Sequence, residues 1–171
     1  MDFKTNEGVT EIFRSMGCLG NDNCFFVTYK DYAKNTLPIV VAGGLGGAVA
    51  AAAAGAAQTA NQKDLSQYEG LLINQNERGL GIIPLRSAHG MQWMVNVAKM
   101  TPIFEEAVFI PNEMIESIEV KNFNFLNKKV QKVYIRLKGV DNSIYQLVRI
   151  KEKEIPYQEV NFVKFMEKYH K

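Results

Sequence analysis

Residues 128–150, KKVQKVYIRLKGVDNSIYQLVRI, carry the pattern that decides the fold. Val133, Ile135 and Leu137 alternate with Lys132, Tyr134, Arg136 and Lys138. After a turn at Gly139-Val140-Asp141-Asn142, Ile144, Val148 and Ile150 alternate with Tyr145, Leu147 and Arg149. A repeat of two with one apolar side predicts antiparallel strands half-covered by a core. Immediately upstream, Glu116, Ile118 and Val120 alternate with Ser117, Glu119 and Lys121, which adds a third strand.

Further upstream the strands are shorter. Glu106 to Ile110 (EAVFI) reads as a strand stopped by Pro111. Leu71-Leu72-Ile73, a turn at Asn74-Gln75-Asn76-Glu77 and a return over Gly79 to Leu85 predict a hairpin. Met91 to Val97 reads equally as strand or helix. Downstream, Pro156 suits a first helical position, Glu159 stands early, and Lys168, His170 and Lys171 stand late, matching a helix dipole. Phe162, Val163, Met166 and Tyr169 fall on one face of that helix, which would cover the open end of a curved sheet.

Toward the N-terminus, Val9, Ile12, Phe13 and Met16 predict a short amphipathic helix docked on the domain, broken by Gly17 and Gly20. Cys18 and Cys24 flank the turn at Asn21-Asp22-Asn23. No histidine stands close enough in sequence to complete a zinc set, so free thiols are the first reading, a disulfide across the turn the second, and metal or redox chemistry the remainder. Cys24 to Tyr29, CFFVTY, is aromatic and β-branched and predicts a strand.

Between that strand and the β-rich region lies Leu37 to Ala57, LPIVVAGGLGGAVAAAAAGAA, without a charge. As a helix of about 21 residues it would be just long enough to cross a bilayer, but its few strongly apolar residues give a weak drive into lipid. Gly43, Gly47, Ala51 and Gly55 recur at every fourth position and form a smooth stripe resembling a glycine zipper. Leu37, Val41, Leu45 and Val49 form a bulky stripe on the opposite side. Such a helix would contact a membrane or pack within protein; a flexible Ala/Gly linker is the third reading. The organisation expected is an N-terminal helix and first strand over 1–36, an Ala/Gly-rich helical insertion over 37–67, and the sheet with its C-terminal helix over 68–171, forming one domain.

Composition narrows the function. A hydrophobic fraction of 47% supplies a core, and a net charge of +2 is too small to suggest nucleic-acid binding. The first residues lack a basic segment leading into an apolar run, so no cleavable signal is expected and a cytoplasmic location, free or at a membrane, is. No catalytic motif, metal set or cofactor fingerprint is present, and His89 stands without an evident partner, so an enzyme is the remote alternative. Trp93 and Phe104 read as core residues or loop anchors. Lys128, Lys129, Lys132, Arg136, Lys138 and Arg149 lie on or beside one outward strand face, either a solvated surface or a contact for an anionic leaflet.

The succession LLINQNERGLGIIPL, AVFIPNEMIESIEVKN, the opening stretch and a terminal helix resembles bacterial pleckstrin-homology-like and GRAM-like domains. Ile110, Pro111, Ile115, Ser117, Ile118 and Val120 match the segment that opens their second sheet, and Arg78 takes their basic turn position. The resemblance implies an α+β, mainly β fold: a strongly bent, seven-stranded antiparallel sheet or partly open barrel, capped by the C-terminal helix. It also implies a non-catalytic module that binds lipid headgroups, peptides or proteins. The basic cluster that phosphoinositide-binding members carry between their first two strands has no counterpart in this chain. The expected function is therefore an interaction module, peripherally membrane-associated or bound to an unidentified protein. The alternative is a soluble homo-oligomer with the Ala/Gly helix buried between copies. One pairing separates these topologies: if Cys24–Tyr29 joins the sheet of residues 68–85, both ends of the Ala/Gly stretch lie on the same side of any membrane.

Overall fold

The computed structural model describes residues 2–33, 40–42, 62–87 and 96–169. In chain order the elements are α1 (Asn6–Ser15), β1 (Cys24–Tyr29), β2 (Val40–Ala42), β3 (Gln62–Asp64), β4 (Gly70–Asn76), β5 (Gly79–Ser87) and β6 (Met100–Pro102). They continue with β7 (Val108–Pro111), β8 (Ile115–Asn122), β9 (Val130–Leu137), β10 (Ile144–Arg149) and α2 (Gln158–Tyr169). The main sheet is antiparallel and runs β6–β5–β4–β1–β10–β9–β8, with β7 sharing the outer edge of β5. This is the mainly β, α+β architecture that the alternating runs predict.

The sheet bends because one short run supplies both of its ends. β7 pairs with β5, a single turn of 3-10 helix at Asn112–Met114 follows, and β8 then pairs with β9. Asn112 N–H donates to Arg78 O at 3.1 Å, and Lys138 N–H donates to Met114 O at 2.9 Å, tying the corner to both edges. A β-bulge between Ile115 and Ser117 adds local bend. Gly79, at the start of β5, is pressed against β7: a Cβ there would lie 2.1 Å from Ile110 O.

Two cores result. On the concave side, Phe26, Leu71, Ile73, Leu80, Ile82, Val108, Val120, Val133, Ile135 and Val148 pack with Phe162 and Phe165 of α2. On the outer side of β1, β4 and β5, α1 lays Val9, Ile12 and Phe13 against Phe25, Val27, Leu72 and Ile83. These three strands are buried on both faces, which explains why CFFVTY and GLGIIPL do not alternate. The α1 helix starts at Thr5, whose Oγ1 accepts from Gly8 N–H at 3.0 Å, and ends at Gly17 with φ of 67°.

Several expectations are corrected. Asn74, Gln75 and Asn76 are strand, and the turn is only Glu77-Arg78, because Asn76 pairs with Gly79. Their polar side chains are buried: Asn74 and Asn76 each donate to Cys18 O, at 2.9 and 2.8 Å, and to Asn23 Oδ1, at 3.0 and 3.1 Å. On α2, Phe165 is fully buried whereas Val163 is exposed, so the covering face is Phe162 and Phe165 with Met166 and Tyr169 at its margin. The helix begins at Gln158, leaving Pro156 outside it. Phe104 is exposed and not a core residue.

The predicted helical insertion is also corrected where it is described. Val40–Ala42 is a strand paired with Gln62–Asp64, and Leu65–Gln67 is a turn of 3-10 helix. The β-branched run Ile39-Val40-Val41 favours the extended form. Gly43, Leu45, Gly47, Val49, Ala51 and Gly55, with Leu37, lie outside the described residues, as do His89, Trp93 and all but the end of Met91–Val97. Among the described residues no helix is long and apolar enough to cross a membrane.

Candidate functional site

The pairing posed by the sequence has a direct answer. Cys24 through Tyr29 pair residue by residue with Gln75 through Gly70. Lys30 N–H then donates to Glu69 O at 2.9 Å, and beyond it Ala42 stands opposite Gln62. The chain on either side of residues 43–61 is therefore held side by side, first by the main sheet and then by the β2–β3 ladder.

Polar side chains brace this stem on the body. Lys30 Nζ donates to Ser66 O at 2.6 Å, and Asp64 Oδ1 accepts from Ser66 N–H at 2.9 Å, capping the short turn. Lys63 reaches the Glu106 carboxylate at 2.8 Å. Buried Asp31 accepts from Tyr145 O–H at 2.7 Å and from Ala33 N–H at 3.0 Å. Burial and that carboxylate push the Tyr145 phenol well above its usual range, so it remains a donor at physiological pH.

The basic residues form two groups. β1 and β9 run in the same direction, since each is antiparallel to β10. The β8–β9 turn precedes β9 and the insertion follows β1, so they lie at opposite ends of the sheet. Lys128 and Lys129 sit on that turn, with Lys132 and Arg149 close to it. Arg136 and Lys138 lie toward the other end, and the sequence's single basic face is resolved into these two groups. Lys132 stands directly opposite Lys121 in the ladder.

Aromatic rings lie between the cations. Lys132 Nζ lies 5.3 Å from the Phe123 ring centroid, Lys121 Nζ 5.6 Å from that of Tyr134, and Arg149 4.5 Å from that of Tyr29. Tyr134 and Tyr145 pack at 4.9 Å between centroids. Arg78, the residue at the basic turn position, is used internally: its Nη1 donates to Gly17 O at 3.0 Å and Leu19 O at 2.9 Å. Phe125 and Leu126, at the apex of the β8–β9 turn, are each 91% exposed. Nothing in their sequence context distinguishes them from core residues; only the turn geometry does.

Among the described residues no group of three or more His, Cys, Asp or Glu is placed to hold a metal ion. Cys18 and Cys24 are free and buried, on opposite faces of the sheet. Compared with protein-family models, with curated proteins and with solved structures, the chain matches none.

Proposed function

We propose that this chain is a non-catalytic, pleckstrin-homology-like interaction module, peripherally membrane-associated or partner-binding, whose contact element is the segment between β1 and β4. The observation that carries this reading is Tyr29 opposite Gly70, followed by Ala42 opposite Gln62. A segment with its flanks held together returns to the side it left, which favours a contact element over a single crossing anchor. The finer fold assignment is supported by seven strands, β1, β4, β5, β7, β8, β9 and β10, in one bent path, and by α2 packed across β1. In the contact element, Gly43, Gly47, Ala51 and Gly55, small residues at every fourth position of the sequence, are the ones proposed for close packing against lipid-embedded or soluble protein backbone.

Membrane fractionation of the full chain tests the membrane form of this reading. Retention through high-salt and alkaline washing supports it, and release into the soluble fraction without detergent removes it. Light scattering on the soluble protein then separates a homo-oligomer from a monomer awaiting another partner. Replacing Gly43, Gly47 and Gly55 by Leu is expected to abolish whichever association is found, and an unchanged association overturns the packing role.

A further inference from the structure

We infer that the β8–β9 turn is a second contact element, an anchor for the interface of an anionic bilayer. It lies at the opposite end of the sheet from the β1–β4 insertion and goes beyond the function proposed above.

The turn presents two adjacent bulky apolar side chains, Phe125 and Leu126, each 91% exposed at a convex apex. Single exposed apolar residues are ordinary on protein surfaces, but an adjacent pair at an apex has no intramolecular use. Three backbone amides of the turn already have side-chain partners. Asn124 Oδ1 accepts from Leu126 N–H at 3.1 Å and from Asn127 N–H at 2.6 Å, and Asn127 Oδ1 accepts from Lys129 N–H at 3.1 Å. The base is pinned by Gln131, whose Nε2 donates to Asn122 Oδ1 at 3.0 Å and Lys128 O at 2.9 Å. A turn built this way enters a poorly hydrated layer without stranding those amide groups.

Charge identifies the occupant. Residues 120–140 contain no Asp or Glu but hold Lys121, Lys128, Lys129, Lys132, Arg136 and Lys138. Lys121 and Lys132 face each other across the ladder, an arrangement that disfavours the free protein and that an external anion relieves. Glu119 at 2.6 Å from Lys121 is an acid on the same strand, one carboxylate beside this run of six cations. Apolar side chains at the apex with lysines just behind them match the layered chemistry of an anionic leaflet, with acyl chains beneath phosphate and carboxylate headgroups. The pocket of a partner protein would use the apex but gives no reason for the lysines behind it.

The test is flotation of the full chain with vesicles of phosphatidylcholine, with and without phosphatidylserine. The parent protein is expected to float with the anionic vesicles, and raised salt is expected to weaken it. Phe125→Ser/Leu126→Ser should lower the partition coefficient by on the order of a hundredfold. Lys128→Gln/Lys129→Gln should lower it about fivefold per lysine, on anionic vesicles only. Both variants alter exposed side chains, so an unchanged melting temperature certifies the fold. A Phe125→Trp variant should show a blue-shifted emission on the same vesicles. If the serine variant floats as well as the parent, the turn is not the anchor, and the β1–β4 insertion is the lipid contact. If the parent floats with neither vesicle, the inference is overturned and the apex is assigned to a protein pocket.

Discussion

Gln158 hydrogen-bonds both backbone groups of Val27: its Oε1 accepts from Val27 N–H at 2.8 Å and its Nε2 donates to Val27 O at 3.0 Å. The same Nε2 donates to Arg149 O at 3.0 Å. β1 and β10 are in ladder register only at Tyr29 and Leu147, and beyond that point they separate. The side-chain amide fills the seam as a substitute strand, and Asn161 Oδ1 extends it by accepting from Phe25 N–H at 3.3 Å.

Gln158→Ala therefore removes the partners of two buried backbone groups of Val27 and of the part-buried Arg149 carbonyl, and should destabilise the fold by about 3 kcal/mol. Gln158→Glu keeps the acceptor, loses the donor and buries a charge, so it should cost at least as much. Urea unfolding with an unchanged slope checks both; a loss below about 0.5 kcal/mol for the alanine variant would deny the seam its role.

Asn74 and Asn76 should behave as a redundant pair. Each donates to Cys18 O and to Asn23 Oδ1, so either single alanine variant leaves one donor in place. The single variants should each cost about 1 kcal/mol, and the double variant should exceed their sum by about 1 kcal/mol. A double-mutant cycle reads this coupling directly, and strict additivity would contradict it.

Asp22 predicts an acid dependence. Lys164 and Lys168, on α2, hydrogen-bond its carboxylate and hold it down at about 2, against an ordinary 3.8. The unfolded chain therefore binds more protons in that interval, so the contribution is present above about pH 4 and lost as pH falls toward 2. Unfolding midpoints of parent and Asp22→Asn should differ near neutrality and converge at about pH 2. A difference that does not change with pH would place the effect outside this pair.

The thiols should be inert in the folded protein. Burial pushes Cys18 up to about 11, against a partial opposing pull from Arg78, and burial also raises Cys24. With one on each face of the sheet they cannot meet. A thiol reagent at about pH 8 should label neither before unfolding and both after it, while rapid native labelling would show that the outer core opens locally.

How legible each part was depends on what covers it. β9 announces itself because its outward face is open to solvent, leaving a clean repeat of two along Val133, Ile135 and Leu137, whereas β10 is buried at Ile144, Tyr145 and Gln146 in succession. β1, β4 and β5 are covered on both sides, so their residues signal a strand by composition without showing which face is which. Asn74-Gln75-Asn76 imitates a turn because buried amides that clamp a neighbouring loop look the same in sequence as exposed ones. Val163 and Phe165 illustrate the limit of helical spacing: both fit an apolar stripe, and the position of β1 decides that the phenylalanine is inside. The stem at Ala42 and Gln62 had no local signal beyond the β-branched run Ile39-Val40-Val41, because its pairing depends on β1 meeting β4 across 40 intervening residues.

Synthesis order gives the seam a further meaning. The strand nearest the middle of the sheet, β1, leaves the ribosome early, yet its two neighbours come much later: β4 after the long insertion and β10 near residue 149. The side chains that seal it to β10 belong to α2, later still. Contacts so distant along the chain carry a large closure cost before they return any stability. Until α2 has emerged, β1 has an open edge beside β10, and the nascent chain waits with Phe26, the ring that Phe162 and Phe165 cover, exposed. The β1–β10 seam therefore closes only once α2 is available, and a ribosome paused before Gln158 would hold a chain in need of a chaperone.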